Sequence, residues 1–328
     1  MLQNPLPRLD RDTSDIRQRL LPHCRLKQGE VWHDPEGKHL VACGDASDQS
    51  FLRELFGDSR AALAVQDPPY NLVAFETRSI EEYIAWSRVW VDNCHSILTD
   101  DSSLYVWLGA DQNNHFQPLG QFITMMATSG FRSRSFITMR NQRGYGTQSN
   151  WMAVRQELLY YTLGHPFFQV QYTDIPKILR GYYKDIDGHR TENIQRGRSM
   201  NIRAGNVWVD LQQVFYRLQE NVSGCYAQKP LRAIERIVLA STVEGDLVTD
   251  FFAGSGTTLL ACERNHRRCI TFDSDPIFTE ITIRRLEQFR ATGKTGWQSG
   301  NPFEHELCNA SSALQSQTAP IATTTEVI

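Results

Sequence analysis

No apolar run in the sequence approaches the ~20 residues that a membrane span requires, and the N-terminal stretch M-L-Q-N-P-L-P-R-L-D lacks the apolar segment of a signal peptide. A cytoplasmic protein with no membrane partner is the expectation. The seven cysteines, at 24, 43, 94, 225, 262, 269 and 308, are odd in number, scattered, and never spaced C-x-x-C. Neither a disulfide framework nor a zinc site is indicated. The nine histidines show no paired ligand spacing, so no protein-bound metal is expected. Charge is also in short supply, because a net value of -3 gives no global attraction to nucleic acid. Any such binding must rest on a local basic patch. There is no internal repeat.

What is present is an ordinary globular composition, 41% hydrophobic and 22% charged over 328 residues. That length suits one large α/β domain with an insertion, or two domains. Short apolar runs alternate with helical patterns. The strand candidates are His39–Cys43, Ala62–Gln66, Ser103–Leu108, Ser135–Met139, Glu157–Thr162, Asp246–Asp250 and Cys269–Phe272, with helices between them at about 48–56, 79–98, 113–129, 230–242, 257–265 and 275–292. This pattern predicts a mostly parallel, seven-stranded sheet with helices on both faces.

Between about 165 and 226 the alternation fails, and Gly, Arg, Tyr and Asn are interleaved. Residues 176 to 205 hold seven Lys or Arg against three acids, a surplus of four within an acidic chain. A solvated surface insertion and a nucleic-acid contact segment both account for that mixture. The two ends look peripheral. Residues 1–30 are charged and weakly periodic, and the tail from about 309 is rich in Ser, Thr and Ala and is expected to be disordered.

Two motifs carry chemistry. The first is Q-D-P-P-Y-N-L at 66–72, at the exit of the strand that ends at Gln66. One proline would stop a strand; the pair Pro68-Pro69 makes a stiff turn that fixes the Asp67 carboxylate, the Pro68 carbonyl and the Tyr70 ring relative to one another. The second is D-F-F-A-G-S-G-T-T at 250–258, in the order strand, Gly-rich turn, helix. Gly254 and Gly256 allow backbone N–H groups to approach a ligand at a helix N-terminus. It is neither G-x-G-x-x-G, since Leu259 takes the place of the third glycine, nor a Walker loop, since no G-K-[ST] follows. The next strand ends in Asp273, nineteen positions after Gly254, where an acid holds the ribose hydroxyls of a nucleotide-type ligand.

D-P-P-Y at 67–70, F-A-G-S-G at 252–256 and the helix-opening Q-K-P-L-R-A-I-E at 228–235 together resemble S-adenosylmethionine-dependent DNA amino-methyltransferases. The order of motifs resembles the β class, a circularly permuted arrangement of the Rossmann-like methyltransferase fold. G-K-H-L-V-A-C-G-D-A at 37–46 and R-G-Y-G-T-Q-S-N-W at 143–151 fit the same family, and the resemblance covers roughly residues 31 to 295. It implies an N-terminal extension over 1–30, a catalytic half over 31–164, a target-recognition insertion over 165–226, a cofactor-binding half over 227–297 and a disordered tail over 298–328. Two departures stand out: Asp250-Phe251-Phe252 replaces the usual D-P-F, and Asp273 stands where Glu is frequent.

The resemblance implies S-adenosylmethionine as cofactor and double-stranded DNA as substrate. A homodimer and a cognate restriction endonuclease are the further partners it brings into question. Asp67, Pro68, Pro69 and Tyr70 become the catalytic set, with Asp67 and the Pro68 carbonyl on the target amine and Tyr70 stacked on a base extruded from the duplex. Asp250, Phe252, Gly254, Ser255, Gly256 and Thr257 are expected around the methionine portion, Asp273 at the ribose, Asp45 and Ala46 near the adenine, and Lys229-Pro230 at the opening of the following helix. DNA contacts are expected from Arg143, Tyr145, Gln148, Lys177, Arg180, Lys184, Arg196 and Arg198. Methylation at ring carbon C5 needs a cysteine nucleophile, normally in P-C, and the chain has no P-C. Aspartate in the first motif position resembles the adenine-N6 enzymes more than the cytosine-N4 ones. The alternatives are a cytosine-N4 enzyme and a non-catalytic nucleic-acid-binding protein on the same scaffold.

Overall fold

The computed structural model describes residues 6–10, 14–70, 78–109, 115–145, 148–149, 151–176, 183–192 and 199–307, with the backbone alone at 14, 141–145, 183–186 and 189–192. The helices are α1 (Ser14–Leu20), α2 (Gln49–Phe56), α3 (Ile80–Ile97), α4 (Gln117–Met126), α5 (Leu231–Ser241), α6 (Thr257–Arg264) and α7 (Pro276–Thr292). The strands of the first half are β1 (Val31–His33), β2 (His39–Cys43), β3 (Ala61–Gln66), β4 (Leu98–Leu108), β5 (Arg132–Tyr145) and β6 (Ala153–Leu163). Then come β7 (Tyr172–Pro176), β8 (Tyr183–Ile186), β9 (His189–Glu192), β10 (Asn201–Arg203), β11 (Val207–Trp208), β12 (Leu247–Asp250) and β13 (Arg268–Asp273).

Helix boundaries follow local chemistry. Ser79 caps α3 in a reciprocal capping box with Glu82, the Asp48 side chain accepts from Ser50 N and Phe51 N at the start of α2, and Asp275 caps α7 ahead of Pro276. One sheet of nine strands runs in the order β1-β2-β13-β12-β3-β4-β6-β5-β11. From β2 to β4 neighbouring strands are parallel, whereas β6 is antiparallel to both β4 and β5. All seven expected strands lie in this sheet. The correction is one of number: β1 and β11, of three and two residues, extend it at either edge, and runs that short leave no periodicity to read.

The late strands β12 and β13 insert between the early strands β2 and β3. This is the spatial content of the permuted motif order. In parallel register Val248 pairs with Leu63 and Thr249 with Ala64, so the glycine turn after β12 and the D-P-P-Y turn after β3 leave the same sheet edge side by side. Ligands of open α/β sheets bind outside those carboxyl ends.

Strand side chains alternate between two cores. Leu63, Val65 and Tyr105 pack with Ile234, Leu260 and Leu286 of α5, α6 and α7, while Ala64, Leu104 and Val106 face Leu52, Trp90 and Phe122 of α2, α3 and α4. A third cluster corrects the expectation of a peripheral N-terminal segment. Leu6, Leu9, Ile16 and Leu20 are buried with Val222, Ile277, Ile281, Phe303 and Leu307. Residues 298–307, expected in the tail, carry Phe303 and Leu307 into this cluster and belong to the fold; residues 308–328 lie outside the described residues. Within the region 165–226, β7 pairs with β10, β8 with β9, and β11 joins the main sheet beside β5. Among the described residues no helix is long and apolar enough to cross a membrane.

Candidate active site

At the exit of β3 the side chains converge. Tyr70 donates its hydroxyl to Asp67 Oδ1 at 2.9 Å, and Lys229 donates to Asp67 Oδ2 at 2.5 Å. The Lys229 ammonium also reaches the Ala227 carbonyl at 3.3 Å and lies 5.5 Å from the Tyr70 ring centroid and 5.4 Å from that of Trp107. Pro68 is buried, Pro69 exposed and Tyr70 half-buried. Burial and the adjacent Asp67 push the Tyr70 hydroxyl well above its ordinary range. Gly109, at the exit of β4, makes room for this ring: a Cβ there would sit 3.1 Å from Tyr70 Cδ2.

Gln66, fully buried, accepts from Phe251 N at 3.0 Å and so joins the two strand exits. In the turn that follows, Gly254 (φ 51°) and Gly256 (φ 73°) both lie in the left-handed region. The two have different reasons. A Cβ on Gly256 would meet Thr282 of α7 at 3.0 Å, whereas one on Gly254 would have no heavy atom nearer than 3.8 Å. Gly256 permits close helix packing; Gly254 leaves open space beside the backbone.

Three carboxylates anchor this edge. Asp250 accepts from Phe252 N at 3.0 Å and Thr258 Oγ1 at 2.5 Å, and burial raises its pKa to about 7. Asp273 accepts from Gly254 N at 2.9 Å and Asp275 N at 3.0 Å. Burial, followed by the charge of Asp275, lifts it likewise to about 7. Asp45, just past β2, accepts from both the amide and the hydroxyl of Ser47 at 2.8 Å. Behind the turn lies Arg285, with no measurable exposure, which donates to the carbonyls of Ser255 (2.9 Å), Thr295 (2.7 Å) and Glu220 (3.2 Å) and to Thr257 Oγ1 (3.0 Å). Burial lowers its pKa to about 10.

A cavity of about 410 Å³ opens between these groups. Asp67 and Pro69 line it from the β3 exit, Asp45 and Ala46 from β2, and Lys229 from the approach to α5. Asp250, Phe252, Gly254, Ser255, Thr257 and Asp273 supply the floor. Pro230 is the N-cap of α5, and Gly256 sits in the turn behind the lining. Most of the groups expected from sequence thus line one space, whereas Pro68, Tyr70, Pro230 and Gly256 are not part of its lining. The expected DNA contacts do not come into view in the same way. Gln148 is exposed; Arg143, Tyr145 and Lys184 are described by backbone alone; Lys177, Arg180, Arg196 and Arg198 lie outside the described residues.

Several lining residues have no signature in the sequence. Asp10 reaches the wall from the N-terminal segment, where it pairs with Arg8, whose guanidinium lies 3.5 Å from the Tyr226 ring centroid. Arg17 of α1 pairs with Asp275 at 2.8 Å. Trp86 of α3 lines the cavity and packs on Phe252 with centroids 5.9 Å apart. No local motif marks these positions; the apolar spacing of Ile16 and Leu20 was the available sign that the N-terminal segment docks.

The DNA methylase family N6_N4_Mtase matches residues 61–284. The chain is 26% identical over 230 residues to "Type II methyltransferase M.HpaI" of Haemophilus parainfluenzae, covering 69% of this chain and 68% of that protein. It is 26% identical over 239 residues to "DNA adenine methyltransferase YhdJ" of Escherichia coli (strain K12), covering 69% of this chain and 76% of that one. Among solved structures, the cytosine-N4-specific PvuII DNA methyltransferase superposes with a TM-score of 0.53 at 18% identity, over 77% of this chain and 89% of its own. That last likeness is one of fold.

Proposed function

The chain belongs to the N6_N4_Mtase family of DNA methylases, and we propose that it transfers a methyl group from S-adenosylmethionine to the exocyclic N6 amine of an adenine extruded from double-stranded DNA. The observation that carries this reading is the shared cavity: the Asp67 carboxylate and the glycine turn with Asp273 face one space. The adenine relative and the aspartate that opens D-P-P-Y favour N6 over N4.

The chemistry of the lining fits the cofactor. Asp10, Asp45, Asp67, Asp250, Asp273 and Asp275 outnumber the cations Lys229 and Arg78, which suits a ligand bearing an ammonium and a sulfonium. Trp86 and Phe252 offer aromatic surface, and the open side of Gly254 admits a ligand close to the backbone. Bound S-adenosylmethionine supplies an electrophilic methyl group. Asp273 keeps lone pairs beyond its two backbone donors for ribose hydroxyls, and Lys229 is a cation of the cavity lining that can meet a carboxylate.

An aromatic amine is a poor nucleophile because its lone pair is delocalised. Asp67 and the Pro68 carbonyl, held by Pro69, accept its two N–H groups and favour a pyramidal nitrogen with a free lone pair. They also stabilise the positive charge that develops there, without reorganising at the moment of reaction. Tyr70 offers a face for the extruded ring, worth ~1–3 kcal/mol per stacked base. The region 165–226, with its basic surplus, reads the site on DNA. To test the reading, genomic DNA from cells expressing the protein is digested to nucleosides and the methylated species are identified by mass. N6-methyladenine is expected; N4-methylcytosine instead would move the assignment to the other amine, and no methylated base would overturn it.

A further inference from the structure

Lys229 is only 6% exposed, and among the described residues Asp67 is its one carboxylate partner within 4.0 Å. The ion pair places a donor on one oxygen of Asp67 while the Tyr70 hydroxyl places one on the other. In this arrangement the carboxylate meant for the target amine is held by donors of the chain itself. An ammonium so close would also repel the positive charge that methyl transfer builds on the amine nitrogen. The reaction therefore requires Lys229 to point elsewhere.

Its backbone shows where. The Lys229 carbonyl accepts from Thr257 Oγ1 at 3.4 Å, which fixes the residue between Asp67 on one side and the glycine turn on the other. A flexible four-carbon stem lets the ammonium serve either side. Two residues on, α5 begins, and the positive end of a helix dipole makes an ammonium there dependent on a nearby anion.

We infer that Lys229 withholds the Asp67 carboxylate until a ligand carboxylate, bound at the glycine turn, draws the ammonium away. This rests on the functional reading above, and the amino-acid portion of the cofactor is the ligand group concerned. Lys229 is then a positioning residue for catalysis as well as a binding residue. The exchange makes the acceptor available only after the cavity is filled, which orders cofactor before target base. It also sets specificity, because a nucleoside lacking the carboxylate can fill the cavity but leaves the ion pair closed.

The test uses calorimetry of the full chain with two probes, S-adenosylhomocysteine, which carries the carboxylate, and 5′-methylthioadenosine, which does not. In wild type the first ligand must compete with Asp67 for the ammonium, a tax on apparent affinity that Asp67→Asn removes. The variant is expected to bind S-adenosylhomocysteine about three- to tenfold more tightly, with 5′-methylthioadenosine changed less than about twofold. Lys229→Gln should instead abolish most of the preference for the carboxylate-bearing ligand. Asp67→Ala provides a second removal of the partner, with circular dichroism to confirm the fold of each variant. Equal effects on both ligands, or weaker binding of S-adenosylhomocysteine alone by the Asp67 variants, would overturn the inference. Wild-type protein that binds neither ligand would overturn the functional reading itself, and the exchange with it.

Discussion

Asp67 and Asp273 are both aspartates at strand exits, yet their surroundings assign them different work. Asp67 is held by two side chains that can move, Tyr70 and Lys229, whereas Asp273 is held by two backbone amides that cannot. Asp67→Ala should reduce methyl transfer by about 10²–10³ in kcat, the usual effect of removing a preorganised partner, while cofactor binding by calorimetry is retained or tightened. Loss of both together would count against the role given to it. Asp273→Ala should weaken cofactor binding by about 1.5–3 kcal/mol, the worth of hydrogen bonds to a charged group, and an unchanged dissociation constant would contradict the assignment. The elevated pKa of Asp273, about 7, adds a pH dependence. Only the ionised carboxylate accepts from two hydroxyls, so cofactor affinity should rise as pH increases through about 7, with proton release visible in buffers of different ionisation enthalpy. For the ligand-free protein the sign is opposite. The folded-state pKa values of Asp250 and Asp273 exceed the ordinary 3.8, so their contribution to stability is full below that value and is lost as pH rises toward about 7. The Tm of the ligand-free protein should therefore respond to this contribution between about pH 4 and 7, and Asp273→Asn should flatten the response.

At the scale of elements, the site depends on how a turn is clamped between a strand and two helices. Gly256 has a positive φ and presses on Thr282, so Gly256→Ala combines left-handed strain of ~1–2 kcal/mol with a clash that α7 must absorb. Urea unfolding should report a loss of at least that size, with weaker cofactor binding because the turn shifts. Stability equal to wild type would show that the turn tolerates a Cβ. Such elements were legible from sequence to different degrees. The strand, glycine turn and helix around 250–258, the strand exit at Asp67 and the nineteen-residue spacing to Asp273 could be read directly, because each is a local pattern with a local cause. Gly109, Trp86 and Arg285 could not. A glycine after a strand, a tryptophan on an amphipathic helix and an arginine on another look ordinary until the fold brings them against Tyr70, Phe252 and Ser255.

For the whole molecule, the basic region and the N-terminal segment make separate contributions. If the surplus of positive charge in 176–205 contacts phosphates, Arg198→Ala should weaken DNA binding across sequences and reduce the slope of log K against log salt by about one. Identical slopes would remove that residue from the interface. Removing residues 1–20 should expose the cluster around Ile277 and Phe303 and forfeit roughly 1.5–3 kcal/mol for each buried leucine or isoleucine. A lower Tm and weaker cofactor binding are expected together, since Asp10 and Arg17 leave the site with the segment. Normal cofactor affinity in the truncated chain would confine the segment to a stabilising role. By itself the sequence determined the alternation of strands and helices, the two motifs and their permuted order, since hydrophobic period, proline stiffness and glycine freedom act over a few residues. Tertiary structure alone decided that β12 and β13 lie between β2 and β3, that Lys229 closes on Asp67 across 162 positions of chain, and that the N-terminal segment brings Asp10 to the cavity. Those depend on long-range burial and charge pairing, which have no period and leave no local trace.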